Sequence, residues 1–170
     1  MAVCALCVMA QESKTVNLQL ETRIDYQREY LDGDAVKSNS GFKGKYLNVI
    51  LNGTINDHWS YSYRQRLNKA HADQSFFDAT DWIHLTYRLN DNWSFNGGKQ
   101  VVGIGGYEYD RAPIDLYFCS EYWNNIPCYQ LGVSATYTTN KGNDIFLAQV
   151  CESPFNFNNE DLYAYNLMWY

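Results

Sequence analysis

The residues able to do chemistry are few and scattered. His58 falls in a turn pattern, His71 in a loop and His84 on the polar side of a strand pattern, so none of the three supports another. Gly103-Ile104-Gly105-Gly106 is a glycine cluster, but it lacks the following helix and the Lys-Ser/Thr pair of a phosphate-cradling loop. Asp110 and Asp115 are two carboxylates in a Tyr-rich stretch and read as solvated acids. Cys119, Cys128 and Cys151 have no His or second Cys at zinc-like spacing. In an oxidising compartment Cys119 and Cys128 are able to pair across a loop, which leaves Cys151 odd. These residues supply no nucleophile, acid–base pair, metal ligand set or cofactor cradle, and the expectation is a protein that is not an enzyme.

The elements that carry these residues are unusual in composition. The chain holds 15 Tyr, 8 Phe and 5 Trp, yet its mean hydropathy is −0.45. Large rings must therefore be interleaved with polar residues rather than gathered into runs, as in strands with two different faces. No stretch approaches the roughly 18 apolar residues of a membrane-spanning helix. A net charge of −6 with no basic stripe argues against nucleic acid as a partner. Residues 2–10 are apolar and give way at once to Gln11-Glu12-Ser13-Lys14, with small Val8 and Ala10 where a signal peptidase reads. Residues 1–10 therefore read as the remnant of a secretory signal that lacks its basic leader, and residues 11–170 as one β-barrel domain.

Period two runs through most of that domain. Val16, Leu18, Leu20, Thr22, Ile24 and Tyr26 alternate with Asn17, Gln19, Glu21, Arg23, Asp25 and Gln27, which predicts a long strand with one greasy and one wet face. Segments 42–55, 59–67, 81–89, 93–102, 129–137, 145–151 and 162–170 repeat the theme, giving about eight strands. Parity is unclear in 145–151, and Gly97-Gly98 suggests a bulge. A tilted strand of roughly 9–11 residues crosses a bilayer.

Connections alternate between tight and long. Asn56–His58, Asn90–Asn92 and Thr139–Asn143 are short turns; Leu31–Gly41, Asn68–Thr80, Gly103–Cys128 and Glu152–Asp161 are longer. Short periplasmic turns and longer outer loops are the pattern of an outer-membrane barrel. Trp59 and Trp93 follow tight turns and Trp169 ends the last strand, where an aromatic girdle belongs. The expected fold is all-β, an antiparallel up-and-down transmembrane β-barrel in contact with outer-membrane lipid. Arg on the lipid face costs about 2–4 kcal/mol at the midplane. Arg23, Arg64, Arg66 and Arg88 share the polar parity, as does His84, and are expected to line the interior. Segment Gly103–Cys128 is too rich in aromatic residues for a free loop. Folded inward, it narrows the lumen and sets Glu108, Asp110, Arg111, Asp115 and Glu121 opposite those arginines, a transverse field that screens solutes.

Gly98-Lys99-Gln100, Gly105-Gly106-Tyr107-Glu108-Tyr109-Asp110, Pro113-Ile114-Asp115-Leu116-Tyr117, Tyr129-Gln130-Leu131-Gly132-Val133 and Ser153-Pro154-Phe155, in this order and spacing, make the chain resemble the phosphate-selective porin O and P-like family, in its Bacteroidetes outer-membrane form. The resemblance covers the first half of such a porin. It implies a sixteen-stranded barrel of the bacterial outer membrane, a homotrimer whose third loop enters the lumen, and passive passage of small hydrophilic solutes or anions such as phosphate. About eight strands make only part of that ring, so the chain is expected to be its N-terminal half. The inward loop carries Arg111 against four acids, so the reading goes to a diffusion pore and stops short of phosphate specificity. Two alternatives stand beside it: a complete eight-stranded barrel with a structural or adhesive role, and a secreted β-sandwich that binds carbohydrate.

Overall fold

A computed structural model describes residues 4–10, 16–69, 75–109, 111, 113–116, 118–156 and 161–170. Among them, nine strands form one sheet: β1 (Cys4–Ala10), β2 (Asn17–Leu31), β3 (Asp34–Thr54), β4 (Trp59–Arg66), β5 (Thr80–Arg88), β6 (Trp93–Val101), β7 (Tyr129–Thr138), β8 (Ile145–Glu152) and β9 (Tyr163–Trp169). Each pairs antiparallel with the next in sequence, so the order in space is the order in the chain. The sheet is the all-β, up-and-down wall expected from the alternation. It is a single sheet rather than two packed layers, which departs from the sandwich alternative. A closed eight-stranded ring would join β2 to β9; here β2 pairs with β1 and β3, and β9 pairs with β8.

The pairing register propagates each strand's two faces across the wall, because residues directly opposite share a face. One polar row runs Thr54, Ser60, Thr86, Asn96, Ser134, Gln149 and Asn166 through successive strands. The neighbouring apolar row runs Tyr61, Leu85, Gly97, Val133, Val150 and Tyr165. The burial of these faces is inverted relative to a soluble protein. Buried polar residues include Arg23, Asp25, Asn48, Arg64, Arg66, Asp81, Gln100 and Gln149, while the buried apolar residues among those described are Ile50, Ala79, Val102 and Cys151. Asn48 is 0% exposed and Leu167 is 86% exposed. That arrangement is favourable where the apolar face meets hydrocarbon and the polar face is turned inward, as in a membrane-spanning barrel wall.

The tight-turn end is built from a repeated device. Asn56 Oδ1 accepts from the backbone N–H of His58 and Trp59, and Asn90 Oδ1 accepts likewise from Asn92 and Trp93. Each following Trp then stacks on an aromatic directly across the ladder: Trp59 on Tyr87 and Trp93 on Tyr137, both with centroids 4.9 Å apart. Trp169 meets Phe146 at 6.2 Å and donates its indole N–H to Asp144. All three indoles thus sit at one rim.

Two local expectations differ. Leu31–Gly41 is not an open loop: β2 and β3 continue as a hairpin to a two-residue turn, with Asp32 at φ 52° and Gly33 at φ 93°. Positive φ at both positions is the twist-matched hairpin turn that Asp-Gly favours. No bulge resets parity at Gly97-Gly98, where the register runs unshifted from Leu85 opposite Gly97 to His84 opposite Gly98. Register shifts lie instead between Arg23 and Ile24, between Gln27 and Glu29, and between Arg64 and Gln65. In β8 the parity is now plain, with Phe146 and Val150 outward and Gln149 and Cys151 buried. Residues 4–10 pair antiparallel with β2, with Ala10 opposite Leu18.

Candidate pore-lining site

The inner face divides into a charged region on β2–β5 and a neutral one on β5–β9. In the charged region, Arg23 makes a two-pronged contact with Asp25, Nε to Oδ1 at 2.9 Å and Nη2 to Oδ2 at 3.0 Å. Asp81 Oδ2 accepts from Arg66 Nε at 2.7 Å and lies 3.2 Å from Arg64 Nε. Glu21 Oε2 stands 3.7 Å from Arg64 Nη2 and accepts from Asn48 Nδ2 at 3.3 Å. The Arg64 guanidinium also lies over the Trp82 ring at 4.9 Å. Buried charges persist only when paired. Here three acids from β2 and β5 meet three arginines from β2 and β4, which leaves the cluster close to neutral.

The segment between β6 and β7 crosses the inner side and reaches this cluster. Arg23 Nη1 donates to the carbonyls of Ile114 (2.9 Å) and Leu116 (2.7 Å), residues some ninety positions away in sequence. Pro113–Asp115 forms a single 3₁₀ turn and Glu121–Asn125 the short helix α1. Ser120 caps α1 by accepting from Trp123 N–H, and its own N–H and hydroxyl both donate to Glu108. Tyr109 packs edge-on against Trp123 at 4.8 Å and Tyr122 at 6.1 Å. A cavity of about 690 Å³ remains between this segment and the wall, bordered by Tyr46, Arg66, Asp81, Trp123 and Tyr129. Cys119 and Cys128 stand as thiols on that same lining. Burial, with Glu108 nearby, pushes the Cys119 thiol up, so it stays protonated.

The expected lining residues do not all meet. Arg23, Arg64 and Arg66 are gathered on one buried patch. His84 lies beside the neutral region, opposite Ser62 and Gly98. Arg88 is exposed at the tight-turn end, where its backbone is tied to His58. In the crossing segment, Glu108 serves Ser120, Glu121 accepts from Asn125, Asp115 is exposed, and Arg111 lies over the Tyr107 ring. Asp110 and His71 lie outside the described residues. The carboxylates that engage Arg64 and Arg66 are Glu21 and Asp81 from the wall, and the segment contributes carbonyl oxygens at Arg23. Glu21 and Asp25 share the polar parity of Arg23 in the sequence, which is the signal that finds them. Asp81 is turned inward at the β4–β5 bulge, and no alternation in the sequence announces that.

In the neutral region, Ser134 Oγ donates to Gln100 Oε1 at 2.8 Å. Gln149 donates from Nε2 to Val101 O, and its Oε1 accepts from Gly103 N–H (2.7 Å) and Asn166 Nδ2 (2.9 Å). A second cavity, of about 240 Å³, opens between this face and Tyr109. Gly98 and Gly132 face each other here because there is no room for more: a Cβ at Gly98 would lie 2.3 Å from Ile83 O, and one at Gly132 2.4 Å from Val150 O. Among the described residues, no group of three or more potential metal ligands occurs.

Comparison with models of protein families matches the chain to phosphate-selective porin O and P over residues 16–169. No curated protein and no solved structure matches it.

Proposed function

Because the chain belongs to the phosphate-selective porin O and P family, we propose that it forms the wall of a passive diffusion channel for small hydrophilic solutes in the bacterial outer membrane. The observation that carries this reading is the inverted burial, polar inside and apolar outside, in a sheet the family model spans almost end to end. Such a wall conducts by offering solutes a hydrated polar surface shielded from lipid. In this reading Arg23, Arg64, Arg66, His84 and Arg88 belong to the pore side of the wall, the first three buried in ion pairs beneath the lumen, and the β6–β7 segment narrows it. Free edges on β1 and β9 are untenable in hydrocarbon, so the working channel is a closed ring with further strands. Such rings assemble as trimers in our reading.

Phosphate is not the solute we assign. A phosphate filter needs cationic donors with unspent charge, whereas Arg23 is held by Asp25, and Arg64 and Arg66 by Glu21 and Asp81. The acids of the crossing segment add negative charge beside that balanced patch.

The test is conductance, in a planar bilayer under a KCl gradient, of this wall within the closed ring that further strands complete. Discrete steps with a reversal potential near zero or toward potassium are expected. Insertion without steps rejects the channel, and a strongly chloride-selective potential, with phosphate blocking the current, rejects the selectivity.

A further inference from the structure

Three polar atoms on the neutral side of the wall are buried and have no hydrogen-bond partner among the described residues: His84 Nδ1, Gln100 Nε2 and Tyr109 Oη. They come from β5, from β6 and from the crossing segment, and all three residues line the one cavity of about 240 Å³. Two of the three are fixed from behind. Ser134 Oγ holds Gln100 Oε1, which leaves the amide N–H₂ of a residue only 6% exposed without an acceptor among the described residues. Tyr109 is held by the rings of Trp123 and Tyr122. A buried donor without an acceptor costs about 1–3 kcal/mol, and convergence of three on one cavity marks a place built to be filled.

We propose that this cavity is a binding subsite for a small uncharged polyhydroxylated solute of the size of one sugar ring. The proposal rests on the channel reading and deepens it by naming the solute class. Among the described residues, the lining carries no Asp, Glu, Lys or Arg side chain. An ion entering it would lose its hydration with no countercharge to replace it, at a cost of several kcal/mol. Hydroxyl groups fit the donors and acceptors present: the Gln100 amide donates, the Tyr109 phenol both donates and accepts, and the His84 ring nitrogen takes either role with its tautomer. Val102, Leu147 and Met168 supply the apolar walls that meet ring C–H faces. Burial pushes the Tyr109 phenol up to about 12, so its proton is kept throughout the physiological range. The volume lies below the roughly 300 Å³ at which pockets for drug-sized ligands begin, and equals the liquid volume of about eight waters at about 30 Å³ each.

The test uses the full chain refolded in an amine-oxide detergent, which has no sugar headgroup. Saturation-transfer NMR with D-glucose should give a saturable signal, and gluconate, the same carbon skeleton with a carboxylate, should give none. Tyr109→Phe and, separately, Gln100→Leu should each raise the half-saturating glucose concentration about tenfold, as loss of one hydrogen bond predicts. Heat-modifiable migration on a gel confirms that each variant has folded. The proposal is overturned by three results: no saturable glucose signal, which leaves the cavity to water; gluconate binding as well as glucose; or unchanged binding in the folded Tyr109→Phe chain. Conductance of the same preparations separates the two readings. A chain that conducts but does not bind glucose loses the subsite alone, and one that binds but does not conduct loses the channel alone.

Discussion

The two halves of the inner wall differ in what they bury, charges in one and dipoles in the other, although Asn48 Oδ1 and Arg64 Nε and Nη2 in the charged half also lack a hydrogen-bond partner among the described residues. On β2–β5 the charges are strong and cancelled: Arg23 by Asp25, and Arg64 and Arg66 by Glu21 and Asp81. On β5–β9 the groups are uncharged dipoles, and three of them are left open toward a cavity. An unpaired buried charge costs far more than an unpaired buried dipole. A wall can therefore hold open dipoles ready for a solute, but must close its ion pairs internally. The charged half serves as an anchor for the crossing segment, through Arg23 and the Ile114 and Leu116 carbonyls; the neutral half is where a solute has something to gain.

The largest effect should follow from breaking the cancellation. Asp81→Ala leaves Arg64 and Arg66 without the carboxylate that both share. Removal of one partner from a buried pair costs about 3–5 kcal/mol, read as a lowered urea midpoint for the chain refolded in vesicles. A loss below about 1 kcal/mol would mean that lumen water screens the cluster as it does a surface pair, and the contrast between the halves would collapse.

Arg23→Met addresses the anchor. It removes charged hydrogen bonds to two carbonyls of the crossing segment and leaves Asp25 buried. Each bond to a charged group contributes about 1.5–3 kcal/mol. The segment should become open to chymotrypsin at its tyrosines, and single-channel conductance should rise. Unchanged conductance with a cleavable segment would place the constriction elsewhere.

Much of this division was open to inspection in the sequence, and the rest was not, for identifiable reasons. Period two assigns Arg23, Arg64, Arg66 and His84 to the polar set, because parity in a strand depends only on neighbours along the chain. The same logic reveals Glu21 and Asp25. It misses Asp81, which a bulge of one residue turns inward. The hairpin at Asp32-Gly33 had its signal in plain view, but the polar residues after it masked the continuing strands. The open state of Gln100 and Tyr109 cannot be read from local pattern at all. It depends on Ser134, thirty-four positions away, and on where a long segment comes to rest. Local period gives the wall, and long-range closure gives the site.

Ser134→Ala, a change in the neutral half, should be milder than either of the others. It takes the donor from Gln100 Oε1 and should cost about 1 kcal/mol. It also frees the amide to turn, so glucose binding should weaken although Ser134 makes no contact of its own with the open donors. A cost equal to that of Asp81→Ala would show that the two halves are equally intolerant.

The smallest effect is one of pH, and its sign follows from Tyr109. Its phenol is held up at about 12 in the folded chain, first by burial, against 10.0 for a free tyrosine. Between those values the unfolded chain has given up a proton that the folded chain keeps. Stability from this group is therefore complete below pH 10 and is lost as pH rises toward about 12. Because the ring is only partly covered, the loss should be a shallow decline. It should disappear in Tyr109→Phe, with the urea midpoints of the two chains compared at pH 9, 10, 11 and 12. An identical decline in both would mean that the Tyr109 hydroxyl meets solvent freely, and the neutral half would then have two open groups rather than three.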